Sequence, residues 1–256
     1  MSQPVLNLLT KPLKNTEFLK GFGLVLKEFP LVIHMAKVYH RIMKLINKVI
    51  KILIFSDVAL ISGLGFIAPI FAIFLTDNIQ GGSVEAVGYS AAIYWIGKSL
   101  VVIPFGRYLD RNHGEKDDLW FIIIGNFLAA LAVFGYLFSS LPWHIYLLQA
   151  LYALGMGMNV PGYTAIFTRH INKGKEAFSW SVRSALIGIG AGVAGGFGGL
   201  IASHFGFNTL FIGVGIFILL SAFLPLLISR EMLPKDRKMP KVPEIKTIHQ
   251  PSAPKE

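Results

Sequence analysis

The sequence predicts an all-α integral membrane protein with six transmembrane helices. One observation is a series of six apolar spans, each about twenty residues or longer, which is the length a helix needs to cross roughly 30 Å of hydrocarbon. The other is an uneven distribution of Lys and Arg among the connections between them. The predicted spans are Leu53–Leu75, Val84–Phe105, Leu119–Phe138, Ile145–Phe167, Phe178–Ala202 and Thr209–Ser229.

The positive charges alternate from one connection to the next. The connections after spans one, three and five contain no Lys or Arg, whereas those after spans two and four contain three each. Nine more precede span one and seven follow span six. Because cationic connections stay on the cytoplasmic side, we expect a multi-pass protein of the plasma membrane with both termini cytoplasmic.

Composition excludes several classes of function. The chain is 54% hydrophobic and 15% charged, and its formal charge of +10 sits in tails and cationic connections. This distribution favours membrane lipid as the partner and not nucleic acid. Cys is absent, the seven His residues lack metal-ligand spacing, and no phosphate-binding Gly loop follows a predicted strand. We therefore predict no enzyme activity, no metal and no cofactor.

Four regions follow along the chain. Residues 1–30 form an N-terminal cytoplasmic segment, and residues 31–52 a basic amphipathic helix with cations at steps of three and four. Such a helix lies in the membrane interface, although calmodulin-binding helices have the same pattern. Residues 53–229 form the six-helix bundle. Residues 230–256, rich in Pro and charge, predict a disordered cytoplasmic tail.

Three charged residues lie at comparable depth toward the cytoplasmic side of the predicted spans: Asp57, Lys98 and Arg183. Charges at this depth are costly unless they pair, reach the interface or line water. They are candidates for binding or coupling a substrate, with Asp57 and Lys98 as a possible pair if spans one and two are neighbours. Alternatively, Lys98 extends toward the interface and the other two are interface residues. Three further candidates are polar residues that either contact substrate or join helices by hydrogen bonds: Asn126, Gln149 and Asn159.

Span five contains a stripe of small residues at helical spacing. Small residues let helix backbones approach closely in lipid. The stripe indicates either ordinary packing within one bundle or a sliding or dimerising surface. Its members are Gly188, Gly192, Gly195, Gly196 and Gly199.

A distinctive segment joins spans two and three, and reads Pro104-Phe-Gly106-Arg107-Tyr-Leu-Asp110-Arg111-Asn-His-Gly114-Glu-Lys116. Gly106 is suited to a tight turn at a helix end. The segment resembles the signature loop of the major facilitator superfamily, although Gly114 falls one residue late and Glu115 replaces a basic residue. The looser resemblance over residues 53–229 is to one six-helix half of that fold. It implies that residues 106–114, here called the latch loop, hold two bundles together through Asp110.

The resemblance implies a secondary transporter that moves a small solute by alternating access. Because that mechanism needs two six-helix bundles, we expect a homodimer or a partner chain that supplies a second six-span half. The alternative is a membrane scaffold or assembly subunit that keeps the half-facilitator fold without transporting anything.

Overall fold

The computed structural model describes residues 46–111 and 114–232, and every regular element in these ranges is helical. The compact helical unit begins at Lys48. Its α-helices are α1 (Lys48–Ile67), α2 (Phe71–Asn78), α3 (Val84–Arg111), α4 (Lys116–Gly135), α5 (Pro142–His170) and α6 (Glu176–Phe223). Short 3-10 helices, Tyr136–Phe138 and Leu224–Glu231, extend α4 and α6.

Four helical stretches in the described ranges are long and apolar enough to cross a membrane: Lys48–Ile67, Val84–Arg111, Lys116–Phe138 and Glu176–Glu231. Helix α5 has 29 residues and is long enough, but it is less apolar than these four stretches and is not counted among them. The stretch from Glu176 has 56 residues, about 84 Å at 1.5 Å per residue, far more than one crossing requires.

Helix α6 is broken at Gly206, where the backbone adopts φ 80° and ψ 165°. Only glycine adopts this conformation readily. The two resulting segments both lie along α1, because Gly190 contacts Ser62 while Ile218 contacts Gly63. The chain therefore reverses at Gly206, and α6 consists of two antiparallel segments, residues 176–205 and 207–223.

The predicted first span is divided at Pro69. Helix α1 ends at Ile67, a three-residue turn follows, and α2 begins at Phe71. Because proline lacks a backbone N–H, it is poorly tolerated inside a helix. By contrast, Pro104 and Pro161 lie within the continuous helices α3 and α5.

The bundle is built around α1, α4 and α6. Helix α1 packs against both segments of α6, α4 lies between α5 and the second segment, and α3 packs mainly on α5. The end of the bundle that contains Lys48, Arg111 and Lys116 is called the basic end, and the opposite one the Gly206 end. Few residues of α3 are buried, so this helix lies at the periphery.

An aromatic cluster fills the Gly206 end. Phe74 of α2 packs edge-on against Phe211, with ring centroids 4.7 Å apart, and Tyr136 lies 5.4 Å from Phe211. All three are buried. Burying large aromatic rings is a strong source of packing energy, and here it connects α2, α4 and the second segment of α6.

Three predicted regions lie largely outside the described residues. The N-terminal segment of residues 1–30 and most of the amphipathic helix of residues 31–52 are among them, while the residues from Lys48 onward belong to α1. Of the predicted tail, only the first three residues are described, and the 3-10 helix ends at Glu231. These regional assignments stay predictions.

Candidate functional site

Lys98 lies near the middle of α3. It is 14 residues after Val84 and 13 before Arg111, which places it about 20 Å from either helix end. The ammonium lies over two aromatic rings of its own helix, 4.4 Å from the Trp95 centroid and 5.5 Å from that of Tyr94. An aromatic face attracts a cation through its quadrupole, so these rings partly replace the lost hydration.

Tyr94 and Trp95 also line a pocket of about 290 Å³. Helices α1 to α5 all contribute to its wall, which is mostly aliphatic and aromatic. The amide of Gln149 and the hydroxyls of the pocket tyrosines are its polar groups. Of the three predicted polar candidates, Gln149 therefore reaches a pocket, and its position agrees with a ligand-facing role.

Close contact between α3 and α5 fixes this pocket wall. The Tyr94 and Tyr152 rings stack with centroids 4.5 Å apart and planes 10° from parallel. A methyl group on Gly97 would lie 3.2 Å from Ala153, and one on Gly157 would overlap Val101. Small residues thus bring the two backbones together beside Lys98. Neither glycine is part of a repeated spacing, so the sequence alone did not indicate their role.

The other two intramembrane charges pair with each other. Arg183 Nη2 lies 2.6 Å from Asp57 Oδ2, joining the first segment of α6 to α1. The guanidinium also lies 4.8 Å from the Tyr163 centroid and 5.5 Å from that of Trp180. The suggested Asp57–Lys98 pair is therefore not formed. The physical reason is that α1 packs mainly against α6, which brings Arg183 beside Asp57.

Asn126 and Asn159 belong to a buried hydrogen-bond network. Asn159 Nδ2 donates to Asn126 Oδ1 at 2.6 Å, and Asn126 Nδ2 donates to Ser221 Oγ at 3.3 Å. Ser56 Oγ of α1 donates to the Ser221 carbonyl at 2.8 Å. All four residues are buried. The network joins α1, α4, α5 and the second segment of α6, which favours the interpretation of Asn126 and Asn159 as interhelical contacts.

The latch loop is an extension of α3 over most of its length. Gly106 lies inside the helix and has no positive φ, so the tight turn predicted there is wrong. A methyl group on Gly106 would instead lie 3.8 Å from Pro161 of α5. Arg107, Asp110 and Arg111 are exposed, and Gly114 is buried.

The basic end carries ion pairs that the sequence did not indicate. Arg169 at the end of α5 pairs with the buried Asp118 at the start of α4. The next residue, His170, places Nε2 3.1 Å from Glu115 Oε2. These contacts connect the α3–α4 connection to α5. The acidic residues at the start of α4, just after the short connection between spans two and three, were the one feature of the sequence that could have suggested these contacts.

The glycine stripe of α6 faces two ways. A methyl group on Gly188, Gly192, Gly196 or Gly199 would meet no atom of the described residues within 4 Å, whereas Gly195 lies near Gly65 and Pro69. Close packing against α1 uses Gly190 and Gly198 instead, since a methyl group there would overlap Ser62 or the Phe66 carbonyl. Most of the predicted stripe therefore faces away from the described bundle.

Comparison with known proteins agrees with this architecture. No curated protein matches the sequence. A family model described as Major Facilitator Superfamily matches residues 53–254, which is most of the chain and includes every helix described above except the start of α1. The match confirms the resemblance drawn from the latch loop and supports a transporter-type function for a multi-pass membrane protein. The chain belongs to the major facilitator superfamily.

Proposed function

We propose that the chain is a secondary transporter that moves a small solute across the plasma membrane by alternating access. Family membership supports transport in general. The mid-helix position of Lys98 beside a pocket is the observation that carries the proposal, because facilitator substrate sites lie near the bilayer midplane. A scaffold that only needs a stable bundle has no use for a cation at that depth.

The proposed topology has six spans with both termini cytoplasmic. The reversal at Gly206 supports two crossings by residues 176–231, and α5 is long enough for a third in that half of the chain. The basic end would face the cytoplasm, because it carries Arg107, Arg111 and Lys116 while the opposite connections carry no Lys or Arg.

We infer that two copies form the working unit. Alternating access in this superfamily requires two bundles related by an axis along the membrane normal, and a two-fold homodimer supplies that axis. The outward stripe of Gly188, Gly192 and Gly196 supports a seam there, since small residues permit close helix approach in lipid. A separately encoded second half would use the same surface.

The latch loop would act at that seam on the cytoplasmic side. Among the described residues, none forms an ion pair with Asp110, and both Arg107 and Arg111 are exposed. Their charges are thus available to a second bundle. Replacing Asp110 with Asn should favour the state in which the cytoplasmic ends of the bundles separate.

Cysteine cross-linking tests the homodimer, because the natural chain has no Cys. A short bismaleimide should convert Gly192→Cys to a species of twice the mass in membranes. Leu220→Cys, which is 57% exposed on the other segment of α6, is the matched control and should stay monomeric. Equal cross-linking at the two positions would contradict the seam, and a product of another mass would identify a different partner chain.

Two-sided labelling tests alternating access. Ala91→Cys lines the pocket and should react with an impermeant thiol reagent added to either face of oriented vesicles. Phe138→Cys lies near the Gly206 end and is 83% exposed, so it should react from one face only. Labelling of Ala91→Cys from a single face would refute alternating access and favour the scaffold.

A further inference from the structure

We propose that the transported solute is a small organic anion, with one carboxylate that binds Lys98 and an apolar body that occupies the adjacent pocket. This inference rests on the proposed transport function and names the substrate class of the same site. It follows from what surrounds Lys98, from what lines the pocket, and from which intramembrane charges already have partners.

Lys98 is too deep to reach the membrane interface easily. The first cation toward the basic end of α3 is Arg107, nine residues away, which is about 13 Å along the helix. This distance is close to half of the roughly 30 Å hydrocarbon thickness. The Lys98 side chain does not extend toward Arg107 but lies against Trp95, at 4.4 Å, one turn nearer the Gly206 end. Snorkelling toward the cytoplasm therefore does not explain its position.

The charge of Lys98 is also not neutralised within the described residues. The partner suggested for it, Asp57, pairs with Arg183 at 2.6 Å, and no other carboxylate in the described ranges forms an ion pair with Lys98. The Lys98 ammonium lies instead against the faces of the Tyr94 and Trp95 rings. In a medium of low dielectric, an aromatic face stabilises a cation much less than a carboxylate does. An anionic ligand would therefore gain binding energy from Lys98.

The pocket beside Lys98 indicates the size and polarity of the part of the ligand that does not carry the charge. Its volume of about 290 Å³ suits a compact solute, and it shares Tyr94 and Trp95 with the Lys98 environment. Beyond these rings the wall is mainly apolar, including Leu64, Ile67 and Val133. Within the described part of the chain, Gln149 supplies the one side-chain amide of the pocket wall, which can donate to a second carboxylate oxygen.

These features exclude other solute classes from the site. Among the residues that the structure describes, no acidic one lines the pocket, so an organic cation would meet Lys98 without compensation. A sugar presents many hydroxyls, and burying them against Leu64 and Ile67 would leave most of them without hydrogen-bond partners. A monocarboxylate with an aliphatic or aromatic body satisfies the single cation and buries apolar surface at once.

Ligand binding to the purified full chain tests the assignment. The probes are benzoate, phenylacetate and hexanoate, each compared with its neutral amide and with benzylamine as the cation. Quenching of Trp fluorescence reports binding, because Trp95 lies at the site. We expect at least one carboxylate to bind tenfold or more tightly than its amide. Lys98→Met should weaken that carboxylate about tenfold or more, and Lys98→Arg should retain part of the affinity.

Lys173→Met is the control, since it removes an exposed cation from the α5–α6 connection and should leave the affinity unchanged. Far-UV circular dichroism checks that each variant is folded, and if Lys98→Met does not fold, Lys98→Gln takes its place. The proposal is overturned if none of the carboxylates binds, if the amides or benzylamine bind as well, or if Lys98→Met matches the natural protein.

Uptake into proteoliposomes separates this inference from the proposed function. Lys98-dependent binding of a carboxylate without uptake would preserve the anion site and contradict transport. Lys98-independent uptake of a neutral or cationic solute would preserve transport and contradict the anion site.

Discussion

Breaking the Asp57–Arg183 pair from either side should have unequal costs. The Asp57 side chain is 4% exposed and the Arg183 side chain 27% exposed. Arg183→Met leaves a buried carboxylate without its partner and should lower the free energy of unfolding by about 3–5 kcal/mol. Asp57→Leu leaves a guanidinium that keeps its contacts with Tyr163 and Trp180, so a loss of about 1–3 kcal/mol is expected.

The double variant gives the sharper test. Asp57→Leu combined with Arg183→Met removes both charges and leaves apolar side chains, a replacement that is often close to neutral. Its loss should therefore be smaller than that of Arg183→Met alone. Reversible unfolding in SDS, followed by far-UV circular dichroism in mild detergent, gives the four free energies of the cycle. Additive losses, within about 0.5 kcal/mol, or a larger loss for Asp57→Leu than for Arg183→Met would refute the assigned pairing.

The same unfolding assay checks three further predictions. Gly198→Ala should lower the free energy of unfolding by about 1–3 kcal/mol, because its methyl group would overpack against α1. Gly192→Ala should not lower it, because its methyl group would meet no atom of the described residues within 4 Å. Equal losses for the two variants would contradict the assigned faces. Asn126→Leu should lose about 1–3 kcal/mol by leaving its buried partners unpaired, and an unchanged midpoint would show that the network does not stabilise the bundle. Gly206→Ala should lower the free energy of unfolding by about 1–3 kcal/mol, because alanine rarely adopts the backbone conformation of Gly206. Gly213 lies within the helix, so Gly213→Ala should be neutral or stabilising. If both changes are tolerated, Gly206 is not required for the turn.

Hydrophobicity and charge predicted much of the helical architecture but not the helix ends. The apolar run that begins at Leu53 marks the first span, yet α1 starts at Lys48. Hydropathy records where side chains prefer lipid, whereas a helix continues for as long as its backbone hydrogen bonds do. The same difference explains why α3 continues through Gly106 to Arg111, where a turn was expected.

Partners were harder to predict than positions. Sequence placed Asp57, Lys98 and Arg183 inside the membrane, but chain order suggested Asp57 and Lys98 as neighbours. In the bundle α1 contacts α6, which is distant in sequence, and α3 contacts α5. No periodicity within a helix specifies which other helix it meets, so an unaligned sequence cannot choose between Lys98 and Arg183.

The glycine stripe shows the same distinction. Its four-residue spacing predicted that Gly188, Gly192 and Gly196 share one face of α6, and that face could serve the bundle or a second protein. The contacts with α1 are made by Gly190 and Gly198, which lie on another face of the same helix. Spacing thus predicts that one face of a helix consists of small residues. The packed structure is needed to show which such face contacts another helix.

The distribution of intramembrane charge gives Lys98 its significance. Of the 24 Lys and Arg residues, 22 lie outside the six predicted spans, where topology accounts for them. The remaining two differ sharply: Arg183 has a carboxylate 2.6 Å away, and Lys98 has aromatic rings. A charge kept only for packing could be replaced by Met or Leu at no cost, because apolar residues pack as well and need no desolvation. The proposed anionic ligand would supply the opposite charge that Lys98 does not receive from any ion pair within the described residues.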